Sequence, residues 1–202
     1  FLFEDGQEYV KHLCLPLSII KLYRIGHDNV LSMMKYYDMH NRKEDNVKVI
    51  FLPCYLDGND GVLNLEYYDV VLGNDLCVYP SYYEPWGYTP LEAVAFKVPC
   101  ITTDLAGFGL WANSIIGKYG EISDGVKVIK RTDYNYSEVA DAIKDTIVEF
   151  SSYDKKQVDS ARKKADMLSK KALWSEFIKY YNEAYHIALT KADNRIKELK
   201  LK

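Results

Sequence analysis

Two glutamates eight positions apart, Glu84 and Glu92, stand in the segment "YPSYYEPWGYTPLEA" (Tyr79 to Ala93). Between them lie Trp86, Gly87, Tyr88 and Thr89, and the stretch is too polar for core. Carboxylates in such a setting hold hydroxyls or shape the charge around a departing group. Thr89 followed by Pro90 reads as the cap and first position of a helix, which puts Glu92 at the third position. The free amides of a helix start, together with the positive end of its dipole, attract a phosphate. Gly87 lets another group approach the backbone closely. Glu84 precedes a proline and caps nothing obvious, so it is expected to point into the same crevice. Acids beside such a helix start could hold hydroxyl donors and a phosphate in one crevice.

Each of these residues also has a plainer reading. Thr-x-x-Glu is a capping box, in which Glu92 bonds the Thr89 amide and does no chemistry. Trp86 reads as core as well as a ligand platform. The segment "LAGFG" (Leu105 to Gly109) reads either as a second approach to the ligand or as a tight turn that needs glycine.

A parallel sheet is the scaffold that would position this segment. The runs "NVKVIFLP" (Asn46 to Pro53), "NDLCVYPS" (Asn74 to Ser81), "VPCITT" (Val98 to Thr103) and "VKVI" (Val126 to Ile129) read as strands. Continuous apolar strands belong to a sheet covered on both faces. Helical stretches fall between them: Asp28 caps "NVLSMMKYYD", "LEYYDVVLG" ends at Gly73, and "PLEAVAFK" follows Thr89. This alternation predicts an α/β, Rossmann-like parallel sheet with helices on both faces and right-handed crossovers. Ligands of such sheets sit beyond the carboxyl ends of the strands, which is where Tyr79 to Ala93 falls.

After Tyr134 the pattern is all-helical. Apolar stripes run through Val139, Ile143, Ile147 and Phe150, then Val158, Ala161, Ala165 and Leu168, then Trp174, Phe177, Ile178, Tyr181, Tyr185 and Ala188. The expected organisation is a Rossmann-like domain over residues 1–135, the part that carries the candidate ligand-binding segment, and a C-terminal helical part over 136–202 packed on it. Before Arg42 a helix near Glu8 to Cys14 is expected, and "PLSIIKLYRIG" fits strand or helix. The basic tail "RIKELKLK" reads as a solvated helix end. The chain starts without methionine or a clear first element, which reads as a fragment.

The 202 residues are 48% hydrophobic and 27% charged, the balance of a folded globular chain. A net charge of -3 offers no electrostatic reason for nucleic-acid binding. No run approaches the roughly 20 apolar residues that span a bilayer. Cys14, Cys54, Cys77 and Cys100 show no CxxC spacing, and three lie beside strand-like runs; buried, reduced thiols and a cytoplasmic location are expected. The four histidines are scattered, so no metal site is expected.

The Glu84-x7-Glu92 spacing resembles the donor domain of retaining glycosyltransferases of the GT-B architecture. The longer string "PSYYEPWGYTPLEA", with "VPCITTDLAGFG" behind it, looks like the glycogen synthases of the eukaryotic type, bacterial relatives included. The resemblance runs from about Val47 to Gly109 and more loosely through the C-terminal helices. It implies one half of a GT-B fold and transfer of α-glucosyl from UDP-glucose or ADP-glucose to the 4-hydroxyl of an α-1,4-glucan. Glu84 would contact the glucose hydroxyls and set the reactive geometry, with Trp86 and Gly87 lining the glucose pocket. Tyr88 and Thr89 would serve the diphosphate, Glu92 the ribose hydroxyls, and Tyr67 would stack on the base.

The resemblance implies no cofactor and no metal. The partners it implies are the nucleotide-sugar donor, the glucan acceptor and an N-terminal domain of the same enzyme. That domain, and a basic Arg–Lys pair that would precede Phe1, are missing from the chain, which is therefore expected to be inactive alone. The aromatic stripe of the last helix would meet that domain or a second copy, a homo-oligomer. Eukaryotic members carry an arginine-rich helix that senses glucose 6-phosphate. The matching "DKKQVDSARKKADMLSKKALW" has only Arg162 among lysines, so sensing is expected to be weak or absent. Two other functions fit parts of the pattern: a GT-B transferase with a different acceptor, and a noncatalytic nucleotide- or glycan-binding module.

Overall fold

A computed structural model describes residues 29–200 of the chain. Two compact units divide at Asp75 and Leu76. The expected helix near Glu8, the segment "PLSIIKLYRIG" and the Asp28 cap lie outside the described residues.

The described part of the first unit holds α1 (Asn29–Tyr36), which buries Leu31 and Met34, and the short α2 (Tyr67–Leu72). Gly73 ends α2 as expected, its amide bonding back to Asp69 and Val71. The strand expected over Asn46 to Pro53 does not form. Its β-branched residues suit an extended chain, but a strand also needs a ladder. Here the Asn41 side chain takes that role locally: its Nδ2 donates to Val49 O at 2.6 Å and its Oδ1 accepts from the Val49 amide at 2.8 Å.

The second unit is built on a three-stranded parallel sheet in the order β1 (Cys77–Val78), β2 (Cys100–Thr103), β3 (Val126–Ile129). Cys77 pairs with Cys100, and Cys100 with Val126. Two crossovers connect the strands, through α3 (Tyr88–Ala95) and α4 (Gly107–Ile116). Every residue of β2 is buried, as the continuous apolar run predicted.

Alternation along β2 sends its side chains to opposite faces. On one, the Cys100 thiol meets the Pro90 carbonyl of α3 at 3.8 Å. On the other, Ile101 packs with Ile129 and with Val139 of α5 (Tyr136–Ser151). Helices therefore cover both faces. The architecture is α/β and Rossmann-like.

α6 (Lys155–Ser169) starts at a capping box made by Asp154 and Gln157, and buries Ala161, Ala165 and Leu168, the expected stripe. In α5 the stripe shifts by one position: Thr146 is buried and bonds the Ala142 carbonyl, while Ile147 is exposed. A helix drifts away from any strict four-residue repeat, and here the drift favours 146. The chain closes with α7 (Trp174–Lys200), whose side chains from Lys179 to Leu199 are exposed. No described helix is long and apolar enough to cross a membrane. Cys77 and Cys100 are buried as expected; Cys54, in the first unit, is exposed because the strand that would bury it is absent.

Candidate active site at the carboxyl end of the sheet

The segment from Tyr79 to Gly87 leaves β1 and crosses the carboxyl ends of β2 and β3. Its attachment is dense. Thr103 Oγ1 donates to Ser81 O at 2.6 Å, and Arg131 Nη1 donates to Pro80 O at 2.7 Å. Glu84 forms a parallel bridge with Ala106, donating to Leu105 O at 3.2 Å and accepting from the Gly107 amide at 3.1 Å. Phe108 donates to Trp86 O at 2.6 Å. The first amides of α4, which have no partner inside the helix, are thus consumed by the carbonyls of residues 84 and 86. "LAGFG" is neither an isolated turn nor an open anion site but the entry to α4, docked on the segment that carries Glu84.

Gly107 is required at that contact. A β-carbon there would lie 2.2 Å from Pro85 O, closer than any real side chain can sit.

Helix α3 begins earlier than Thr89. Gly87 is its N-cap, with φ 110° in the left-handed region that favours glycine. Thr89 therefore occupies the second position, Pro90 the third and Glu92 the fifth. The capping box expected from Thr-x-x-Glu cannot form on this frame, since Pro90 holds the position from which Glu92 would have reached back. Pro90 is tolerated because the third amide of a helix has no intrahelical partner anyway. The start is set by tertiary contact: Gly87 is buried, and a β-carbon on it would touch Pro90 Cγ at 3.2 Å and Phe108 Cβ at 3.4 Å.

That same β-carbon would stand 3.4 Å from Glu84 Oε2, so the carboxylate turns toward the mouth of α3. Ser81 Oγ donates to this oxygen at 3.1 Å, and the side chain is half-buried. Among the described residues no acceptor takes the Tyr88 or Thr89 amide. One carboxylate and two unspent amides therefore share the start of α3, with Tyr88 exposed beside them and Glu92 one turn further on. Such a grouping can accept hydroxyl donors on one side and hold an anion on the other.

Trp86 is anchored rather than open. Its ring lies 5.8 Å from Trp111, 5.7 Å from Phe177 and 6.2 Å from Phe108, in tilted and edge-on contacts. The indole ties the segment to α4 and to the first turns of α7; its backbone carbonyl, as noted, holds Phe108. Tyr67 belongs to the first unit, at the first position of α2, half-buried beside the more exposed Tyr68 with ring centres 5.4 Å apart.

Sequence reasoning missed Arg131 and Asp104. Asp104 Oδ1 accepts the Arg131 amide at 2.8 Å and Oδ2 the Tyr119 hydroxyl at 3.1 Å. That hydrogen bond, with some burial, holds the Tyr119 phenol above its ordinary pKa. The one available signal was position, immediately after a parallel strand. Burial pushes the Cys100 thiol well up, so it is no nucleophile. Among the described residues no three His, Cys, Asp or Glu side chains gather in a group able to hold a metal.

Comparison with known proteins identifies the family. The family model described as glycogen synthase matches residues 11–200. Over 167 residues, 83% of the chain, it is 33% identical to glycogen [starch] synthase isoform 1 of Saccharomyces cerevisiae, covering 24% of that protein. Over 182 residues, 90% of the chain, it is 30% identical to glycogen [starch] synthase of Neurospora crassa and 29% identical to the liver glycogen [starch] synthase of Rattus norvegicus, covering 26% of each. The chain spans about a quarter of the length of these curated relatives. A sheet-end site built on "PSYYEPWGYTPLEA" and a match across nearly the whole sequence lead to one assignment: this chain belongs to the glycogen synthase family.

Proposed function

We propose that this chain is the donor-binding part of a retaining glycosyltransferase that extends an α-1,4-glucan from UDP-glucose or ADP-glucose. The observation that carries the reading is the Glu84 carboxylate turned toward Gly87 and the unspent amides of α3. In the reaction the bond from the glucose anomeric carbon to the diphosphate breaks, and a bond to the acceptor 4-hydroxyl oxygen forms. The hydroxyl proton passes to the departing nucleoside diphosphate.

Glu84 supports the donor glucose through its hydroxyls as the anomeric carbon gains cationic character. The Tyr88 and Thr89 amides take part of the diphosphate charge. Gly87, backed by the anchored Trp86, forms the wall of the sugar pocket, Glu92 holds the ribose hydroxyls, and Tyr67 stacks on the base. A helix start supplies only about 0.3–1 kcal/mol when exposed and about 2 when partly buried. Enzymatic acceleration needs about 8–23 kcal/mol. Most of the stabilisation of the leaving group must therefore come from cationic groups beyond this helix start. Because it spans about a quarter of its curated relatives, the chain is proposed to be inactive alone and to act with a second, acceptor-side domain. The reduced, buried Cys77 and Cys100 suit a cytoplasmic enzyme.

The test is transfer of radiolabelled glucose to glycogen by the enzyme that carries this chain. Glu84→Gln should reduce turnover at least about a hundred-fold, the scale of losing one electrostatic contact to a transition state. Wild-type turnover in that variant would reject the role of Glu84. Transfer by the isolated chain at the full enzyme's rate would reject its inactivity.

A further inference from the structure

Three consecutive residues before the Glu84 turn, Pro80, Ser81 and Tyr82, are each held from a neighbouring strand end. Thr103, closing β2, holds the Ser81 carbonyl. The other two are held by Arg131, which follows β3. Its Nη1 donates to Pro80 O, and its guanidinium lies over the Tyr82 ring, 5.1 Å from the centroid. The Tyr82 hydroxyl in turn donates to Asp133, two residues beyond Arg131. The arginine's own backbone is fixed, because Asp104 takes its amide and the Asp104 amide bonds Ile129 O at 3.1 Å.

Ser81 thus sits between two residues gripped by one side chain, and its hydroxyl is the group that donates to Glu84 Oε2. We infer that Arg131 is a positioning residue for Glu84, clasping Pro80 and Tyr82 so that the Ser81 hydroxyl orients the carboxylate toward the start of α3. Resting on the proposed role of Glu84, this adds a residue that touches neither donor nor acceptor.

The geometry calls for arginine specifically. A planar guanidinium donates in its plane to a carbonyl while its face covers a ring. An ammonium carries its three donors on one tetrahedral nitrogen and has no flat face to lay over a ring while it donates to the carbonyl. Arg131→Lys keeps the charge and most of the stem, so it isolates the clasp from any general loss of charge or fold.

Two measurements test this. Hydrogen–deuterium exchange on the full 202-residue chain should show the peptide over residues 80–88 exchanging about ten-fold faster in Arg131→Lys, while α5 and α6 are unchanged. In glucosyl transfer by the enzyme that carries the chain, the same variant should lose about ten-fold in kcat with the donor KM within two-fold, the mark of a contact felt only in the transition state. Unchanged exchange over 80–88, or unchanged kcat with the segment loosened, overturns the inference. Glu84→Gln in the same assay separates the two readings: if it keeps full turnover, the role of Glu84 fails, whereas an inactive Glu84→Gln beside a fully active Arg131→Lys rejects Arg131 alone.

Discussion

Glu84 and Ala106 face each other in a parallel backbone bridge, one residue from the segment that leaves β1 and one from the entry to α4. The bridge makes the position of Glu84 a property of two crossovers at once. A disturbance at the start of α4 should therefore reach the site, even though none of the proposed donor-binding residues lies on α4.

Gly107→Ala tests that coupling. The added carbon would meet Pro85 O at 2.2 Å, a backbone atom that cannot swing aside. The substitution should cost about 1–3 kcal/mol, the usual range for overpacking. A denaturant midpoint equal to wild type would contradict the close contact.

Base stacking by Tyr67 is accessible to titration calorimetry with UDP on the chain. Tyr67→Ala should bind about ten-fold more weakly, within the range for one base on one aromatic ring. Equal affinity would remove Tyr67 from the site. Loss of affinity in Tyr68→Ala instead would hand the role to its more exposed neighbour.

Asp124 supplies a pH-dependent contribution to stability. It lies 3.0 Å from Lys118 and 3.3 Å from Lys164, tying the 3-10 turn Ile122–Asp124 to α6. Burial works to raise its pKa, but Lys118, the Glu121 amide and Lys164 outweigh that and hold the carboxyl below its ordinary value. A folded value below the unfolded one means the stabilisation is present above the unfolded pKa and lost as pH falls through the folded value. Asp124→Asn should therefore lower the urea midpoint at pH 7, and the gap to wild type should close below about pH 4. A gap of the same size at pH 3 would contradict this.

Glucose 6-phosphate should leave the activity of the enzyme nearly unchanged. The helix that matches the arginine-rich segment is α6 with its following turn, where Lys164 is bound to Asp124 at 3.3 Å and Lys170 to Asp166 at 2.7 Å. These two lysines are committed to carboxylates, and no lysine can grip phosphate with the two parallel bonds an arginine makes, so the segment is expected to be a poor sensor. Activation of several-fold in a transfer assay would prove otherwise.

The sequence by itself determined the elements whose signals are local. "VPCITT" and "VKVI" are mostly apolar, β-branched runs and became parallel strands, buried throughout in β2 and at all but Lys127 in β3, because a sheet covered on both faces hides most of a strand's side chains. Gly73 stopped α2, and Ala161, Ala165 and Leu168 faced inward, because terminators and periodicity act within a few residues. Glu84 and Gly87 could be singled out as candidates for the same reason: residue type and spacing are printed in the chain. Tertiary structure decided the rest. Asn46 to Pro53 had strand-forming side chains but, among the described residues, no partner strand to complete a ladder. The start of α3 moved from Thr89 to Gly87 because Gly87 is packed against Phe108, twenty-one residues away. Trp86 became an anchor through Phe177, ninety-one residues further along the chain. Arg131 acquired its place only by reaching Pro80 across a separation of 51 residues, and no window along the chain contains both.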